Sequence, residues 1–222
     1  GNFVKGWDVP KSDNDIVSKI YHFRVEGKDY LVYADRYRLY ILDRKGKERV
    51  KVSTLLNLSA NTSLYLTKQN GQMKMAFMDA NGEIVLVNFR GQVERIKGEE
   101  MIGGGMFNVE DVNNDGQDEF IYTLKNRIVV MDNKGKLLFE KHWEDSELDF
   151  PYIYRFSARD SRIGIMDGKG ERNAYMSGPS KGPDGYYHLV WVWRDSYLCE
   201  TNNHLSYARS RNFKDWESVD GK

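Results

Sequence analysis

The sequence is poor in the features that would place it in several common classes. It has one cysteine, Cys199, so no internal disulfide can staple it, and a single thiol leaves the compartment open. Lysine plus arginine equals aspartate plus glutamate at 33 each, and a balanced chain has no broad electrostatic grip on nucleic acid or on an anionic membrane. No apolar run approaches the ~18–20 residues that span a bilayer. No segment holds a helical period over three turns. The chain opens on Gly1 with neither a methionine nor a charged-then-apolar leader, and so reads as a trimmed or processed product. Only 4 prolines interrupt it, while 14 tyrosines and 5 tryptophans enrich it. That balance suits a twisted antiparallel sheet protein.

One unit recurs. The stretch from Arg127 to Lys136 is an apolar strand, an acidic residue, a short turn with Gly135, and the start of a return strand. Segments around Gly46, Gly91 and Gly170 repeat it, at spacings of 45, 44 and 35 residues. An inner glycine at 27, 71 and 116 precedes Gly46, Gly91 and Gly135 by 19, 20 and 19 residues. Hairpins at a period in the low forties are the sequence mark of propeller blades. After a polar lead-in over residues 1–15, each unit holds strands of five or six residues joined by short turns. Asn81-Gly82 predicts a type I′ turn with positive φ at both residues. The fourth unit, about 150–175, is shorter and lacks the first glycine. The acidic run 144–149 reads as a solvated loop between blades, and Ile102–Met106, which lacks the Lys-Ser/Thr of a phosphate loop, as a turn between blades. Asn57-Leu-Ser59 and Asn61-Thr-Ser63 match the glycosylation pattern, which is too short to carry weight.

The expected architecture is all-β: a propeller of about five antiparallel blades, or an incomplete one. Residues 1–176 carry the ~44-residue repeat. A glycine- and proline-rich break then opens a different unit, residues 177–222, which either completes the propeller or is appended to it. The first part resembles quinoprotein-like propeller blades over residues 16–170, a likeness that implies architecture alone. Within it, Asp111, Asn113, Asp115, Gly116 and Glu119 stand at positions 1, 3, 5, 6 and 9 of one loop. Oxygen side chains at that spacing, a glycine for the tight turn and the backbone carbonyl of Gln117 can wrap a structural calcium ion. The segment resembles the loops of FG-GAP and integrin-type blades. Residue 122 is tyrosine, not the glutamate that closes an EF-hand.

Residues 177–222 are similar to BNR-repeat propellers of bacterial polysaccharide breakdown, which include sialidase-like glycosidases and ulvan-type lyases. The likeness lies in the run from Asp184 to Arg194, in Thr201–Ser210 and in Trp216-Glu217; Ser210 to Trp216 is a degenerate Asp-box. The two dialects admit a diverged last blade or a fusion of two propeller fragments. The BNR resemblance implies His188, His204, Arg194 and Tyr207 as candidates for chemistry. In a lyase, an arginine or histidine neutralises a uronate carboxylate while a tyrosine or histidine moves the proton. A glycosidase would need a carboxylate pair, for which Asp195 and Glu200 are near in sequence. Related sequences lead one to expect an aspartate after Asn203-His204, where this chain has Leu205. Gly178-Pro-Ser180-Lys-Gly182 spells a nucleophile elbow, but no helix is expected after it. The leading expectation is a non-catalytic, calcium-supported scaffold that binds poly- or oligosaccharide, secreted, periplasmic or on a bacterial cell surface. A polysaccharide lyase or glycoside hydrolase is one alternative, and a protein-interaction propeller another.

Overall fold

The computed structural model describes residues 5–7, 11–59, 62–97, 106–145, 148, 151–157, 160–165, 173–196 and 198–220. The glycine marker at 170, residues 102–105 of the glycine cluster, Asn61, and residues 146, 147 and 149 of the acidic run lie outside them. The chain has an all-β, propeller-like fold. The first sheet runs β1 (Tyr21–Val25), β2 (Lys28–Ala34), β3 (Leu39–Leu42) and β4 (Glu48–Lys51) in sequence order, each strand antiparallel to the next. The second repeats this with β5 (Tyr65–Gln69), β6 (Gln72–Met78), β7 (Ile84–Asn88) and β8 (Val93–Ile96). The third does so with β9 (Met106–Glu110), β10 (Glu119–Leu124), β11 (Arg127–Met131) and β12 (Leu137–His142). These three meanders are the three complete units expected from the glycines.

The remainder departs from that pattern. Among the described residues the fourth unit is a two-stranded sheet, β13 (Tyr152–Ser157) with β14 (Asp160–Gly164). The last sheet is built on β17 (Tyr187–Arg194), with β18 (Asn202–Ser210) on one edge. β15 (Asn173–Met176) and β16 (Ser180–Lys181) both pair with β17, at its two ends. The compositional break at 177 therefore falls inside a sheet, between two pieces of one interrupted strand.

The recurring Asp or Asn at the end of the apolar strand caps a turn. Asp43 Oδ1 accepts the backbone N–H groups of Lys45 and Lys47, Asn88 Oδ1 those of Arg90 and Gln92, and Asp132 Oδ1 those of Lys134 and Lys136. The glycine of each turn then takes positive φ, 84° at Gly91 and 87° at Gly135. A Cβ on Gly91 would overlap the Lys51 carbonyl oxygen of the first sheet, and one on Gly135 the Ile96 side chain of the second. At Gly91 and Gly135 the marker is thus the point where the second and third sheets rest on their predecessors. Asn81-Gly82 behaves differently from expectation. Gly82 has φ of 79° but Asn81 has no positive φ, and Asp79 Oδ1 caps a five-residue turn by accepting Asn81 and Glu83 N–H. Both residues are positive in φ at Glu26-Gly27 and Asn70-Gly71.

The core lies between sheets. Val32, Leu39 and Ile41 of the first sheet pack with Met75, Phe77, Val85 and Val87 of the second. The alternate residues Ala76, Met78, Ile84 and Leu86 turn the other way, against Phe120, Tyr122, Val129 and Met131 of the third. Ile121, Ile128 and Val130 face Ile153 and Ile163 of β13–β14. Strands buried on both faces lose the apolar–polar alternation of a half-exposed sheet, which is why β7 reads Ile-Val-Leu-Val.

Candidate functional site

Two places hold the residues singled out by the sequence. The first is the β9–β10 connection. β1–β2 and β5–β6 turn in two residues, whereas this one spans residues 111–118. Asp111 binds the loop from within: its carboxylate accepts Asp115 N–H at 3.1 Å and Gly116 N–H at 3.0 Å. Asn113 Oδ1 accepts Asp115 N–H at 2.8 Å, and Asp115 Oδ1 accepts Gln117 N–H at 2.8 Å. Glu119, 2% exposed, accepts the N–H groups of Val112 and Asn113 and the Asn113 side-chain amide. Burial pushes the Glu119 carboxyl above its ordinary value, against those two backbone donors, and the charges of Asp115 and Asp111 push it the same way.

The loop thus brings Asp111, Asn113, Asp115, Gln117 and Glu119 into one hydrogen-bonded turn. Among the described residues no three His, Cys, Asp or Glu side chains already stand as a metal-holding group; here backbone N–H groups engage the carboxylates. The side chains that meet in the loop offer oxygen from carboxylates and an amide, with no thiolate or imidazole among them. That chemistry fits calcium and not a thiolate- or imidazole-seeking metal.

The second place is the β15–β18 sheet, which separates its candidates. His188 Nδ1 lies 2.6 Å from Tyr207 Oη and Nε2 lies 3.0 Å from Asp184 Oδ1. An ionised carboxylate only accepts, so Nε2 carries the proton and, in the neutral ring, Nδ1 accepts the Tyr207 hydroxyl. The His188 contact, with Tyr186 N–H, holds the Asp184 carboxyl below its usual range. A Cβ on Gly182 would fall onto His188 Nε2 and Asp184 Oδ1, and one on Gly178 would press the Tyr154 ring. Both glycines of the elbow-like motif are accounted for by close packing. Ser180 stands opposite His188 on β16, but both His188 nitrogens are engaged and a turn into β17 follows. It is not a nucleophile elbow.

Arg194 lies six residues along β17 from His188, about 20 Å at strand rise. Its guanidinium covers Tyr175 at 4.2 Å and its Nε donates to Asn202 Oδ1 at 2.8 Å. His204 occupies a bulge: Val192 pairs with Leu205 and Trp193 with Asn203, leaving His204 as the extra residue at φ 43°. Its Nδ1 lies 2.6 Å from Asn203 Oδ1. Leu205, where an aspartate was expected, is 74% exposed. The sheet therefore unites His188 with Tyr207 and adds Asp184, while Arg194 and His204 stand apart from them. Asp184 escaped notice because its link to His188 is made by a turn, not by strand spacing. Of Asp195 and Glu200, Asp195 accepts from the Asn203 side-chain amide.

Residues 129–222 match a family described as BNR repeat-containing family member. The family match begins within β11, well before the compositional break at 177. The carboxy-terminal part of the chain is BNR-repeat-like. No curated protein matches the chain. Among solved structures it is similar to BamB from Moraxella catarrhalis, at 14% identity and a TM-score of 0.40, over 94% of this chain and 60% of that one. It is also similar to the dihydro-heme d1 dehydrogenase NirN in complex with DHE, at 14% identity and a TM-score of 0.41, over 81% of this chain and 44% of that one. The chain thus spans less than two thirds of the length of either. Among the described residues no helix is long and apolar enough to cross a membrane.

Proposed function

We propose that this chain is a non-catalytic β-propeller scaffold that binds poly- or oligosaccharide on its carboxy-terminal sheet and is braced by calcium in the Asp111–Glu119 loop. Its setting is the secreted, periplasmic or cell-surface space of a bacterium. The observation that carries the reading is the pairing of accessible rings with guanidinium groups on that sheet. Tyr175, 47% exposed, lies under Arg194; Arg209 and Arg211 each stand 4.4 Å from the Tyr186 ring centre. Strands β3 and β7 are buried throughout, whereas every residue of β17 keeps some exposure. Aromatic faces take the C–H face of a sugar, and the planar guanidinium fork takes hydroxyls or a carboxylate.

A second reading is favoured by the Asp184–His188–Tyr207 relay. Tyr207, having passed its proton to His188 Nδ1, would take the proton from the carbon beside a uronate carboxylate. The adjacent C–O bond would break, its electron pair leaving on the oxygen, which is then protonated. Arg209 stands directly opposite His188 on β18, and its Nε already donates to Glu217.

One titration separates the readings. Oligogalacturonate should bind saturably with no unsaturated product, and Tyr175→Ala or Arg194→Ala should weaken binding at least tenfold, the loss of roughly 1.4 kcal/mol. Absence of binding rejects the scaffold reading. Product formation that His188→Ala abolishes establishes the relay in its place.

Calcium has its own measurement. It would be held by Asp111, Asn113, Asp115, the Gln117 carbonyl and Glu119, and would supply the positive charge that lets these acidic groups share one loop. Saturating calcium at about 100 times its Kd should add about 2.7 kcal/mol of stability. Chelator should therefore lower Tm, and Asp115→Ala should remove the difference. Identical wild-type melting curves with and without chelator would reject the ion.

A further inference from the structure

We propose that the Asp111–Glu119 loop is a clamp between the second and third sheets: calcium binding and the docking of these sheets reinforce one another through Thr67, Gln69 and Asn133. The proposal rests on the calcium reading above and adds the coupling to it. Its basis is a change along one face of an inner strand. β1 presents Tyr21, Phe23 and Val25, all packed in the apolar core between the first and second sheets. Counted back from the two-residue turn, the same places on β5 hold Tyr65, Thr67 and Gln69.

Each of these reaches the third sheet by a hydrogen bond. Tyr65 Oη donates to Phe107 O at 2.8 Å, and burial pushes its hydroxyl up to about 12. Thr67, 1% exposed, donates its hydroxyl to Asp118 Oδ2 at 2.7 Å. Gln69 Nε2 donates to Asn133 O at 2.7 Å, and Asn133 Nδ2 donates onward to Gln117 Oε1 at 3.1 Å. Two apolar contacts of the first junction are thus replaced by polar ones, and these lead into the loop itself.

Gln117 and Asp118 lie between the loop glycine and Glu119. Gln117 offers its backbone carbonyl to the ion and Glu119 its carboxylate. Holding the side chains of Gln117 and Asp118 from the neighbouring sheet fixes this stretch before the ion arrives, so less ordering remains for binding to drive. Because the coupling is a free energy shared by both events, the ion must in turn strengthen the junction.

The experiment is a calorimetric calcium titration, with melting curves in chelator and in calcium, on the wild type, Thr67→Val, Thr67→Ser and Asn133→Ala. Thr67→Val preserves shape and alters no residue of the loop. It should bind calcium about tenfold more weakly, as expected for one lost hydrogen bond to a carboxylate, and gain less in Tm from calcium. Thr67→Ser should restore both. Asn133→Ala, on a surface turn, should weaken binding in the same direction. Wild-type affinity in Thr67→Val and Asn133→Ala overturns the clamp and leaves the calcium site standing. A wild type that binds no calcium overturns both. If Thr67→Val does not fold in chelator, Asn133→Ala decides, and unchanged affinity there overturns the clamp.

Discussion

Gly91→Ala should lower stability by about 2–5 kcal/mol, whereas Gly71→Ala should cost about 1–2 kcal/mol. Both glycines have positive φ, 84° and 76°, so both variants carry the strain of a left-handed alanine. They differ in surroundings. A Cβ at Gly71 meets nothing within 4 Å, while one at Gly91 would overlap the Lys51 carbonyl oxygen. That oxygen is backbone at the end of β4 and yields only if the second sheet lifts from the first. The difference between the two variants therefore reads the seating of one sheet on another. Urea denaturation with unchanged m measures it; equal losses would show that the sheets do not lean on each other at this point.

Phe77→Ala should cost about 3–5 kcal/mol, the range for emptying a well-packed aromatic site. Phe77 is fully buried and belongs to the cluster that joins β2 and β3 to β6 and β7. The residues around it are held by two ladders and cannot close over the void. Leu205→Ala, at a position 74% exposed, should change stability by less than about 0.5 kcal/mol. A Phe77→Ala loss as small as that of Leu205→Ala would mean that the joint between the first two sheets carries little of the fold.

The repeat was legible because two separate constraints act at Gly91 and at Gly135. An Asp or Asn must cap the turn, and only glycine fits both the positive φ and the close approach to the preceding sheet. Glycine-marked hairpins thus identified three sheets strand by strand. The Asp111–Glu119 loop was legible for a similar reason, since its residues bind one another within nine positions. Less was visible where partners come from distant sequence. Nothing near Thr67 or Gln69 hints at Asp118 or Asn133, and nothing local ties Asp184 to His188. The turn at Asn81-Gly82 was misjudged because Asp79 takes hold of it from outside the dipeptide. Composition drew a line at 177, yet β15 and β16, on either side of it, share β17 as partner. The placing of His204 in a bulge rests on one extra residue between Leu205 and Asn203, which alternation alone does not disclose.

The seats of Gly91 on Lys51 and of Gly135 on Ile96 share a direction. In each case the later unit rests on one that left the ribosome before it. At these two seats a nascent chain would therefore have the supporting strand already made when the next hairpin emerges. Loss of an early seat should do more harm during synthesis than the same loss later in the chain.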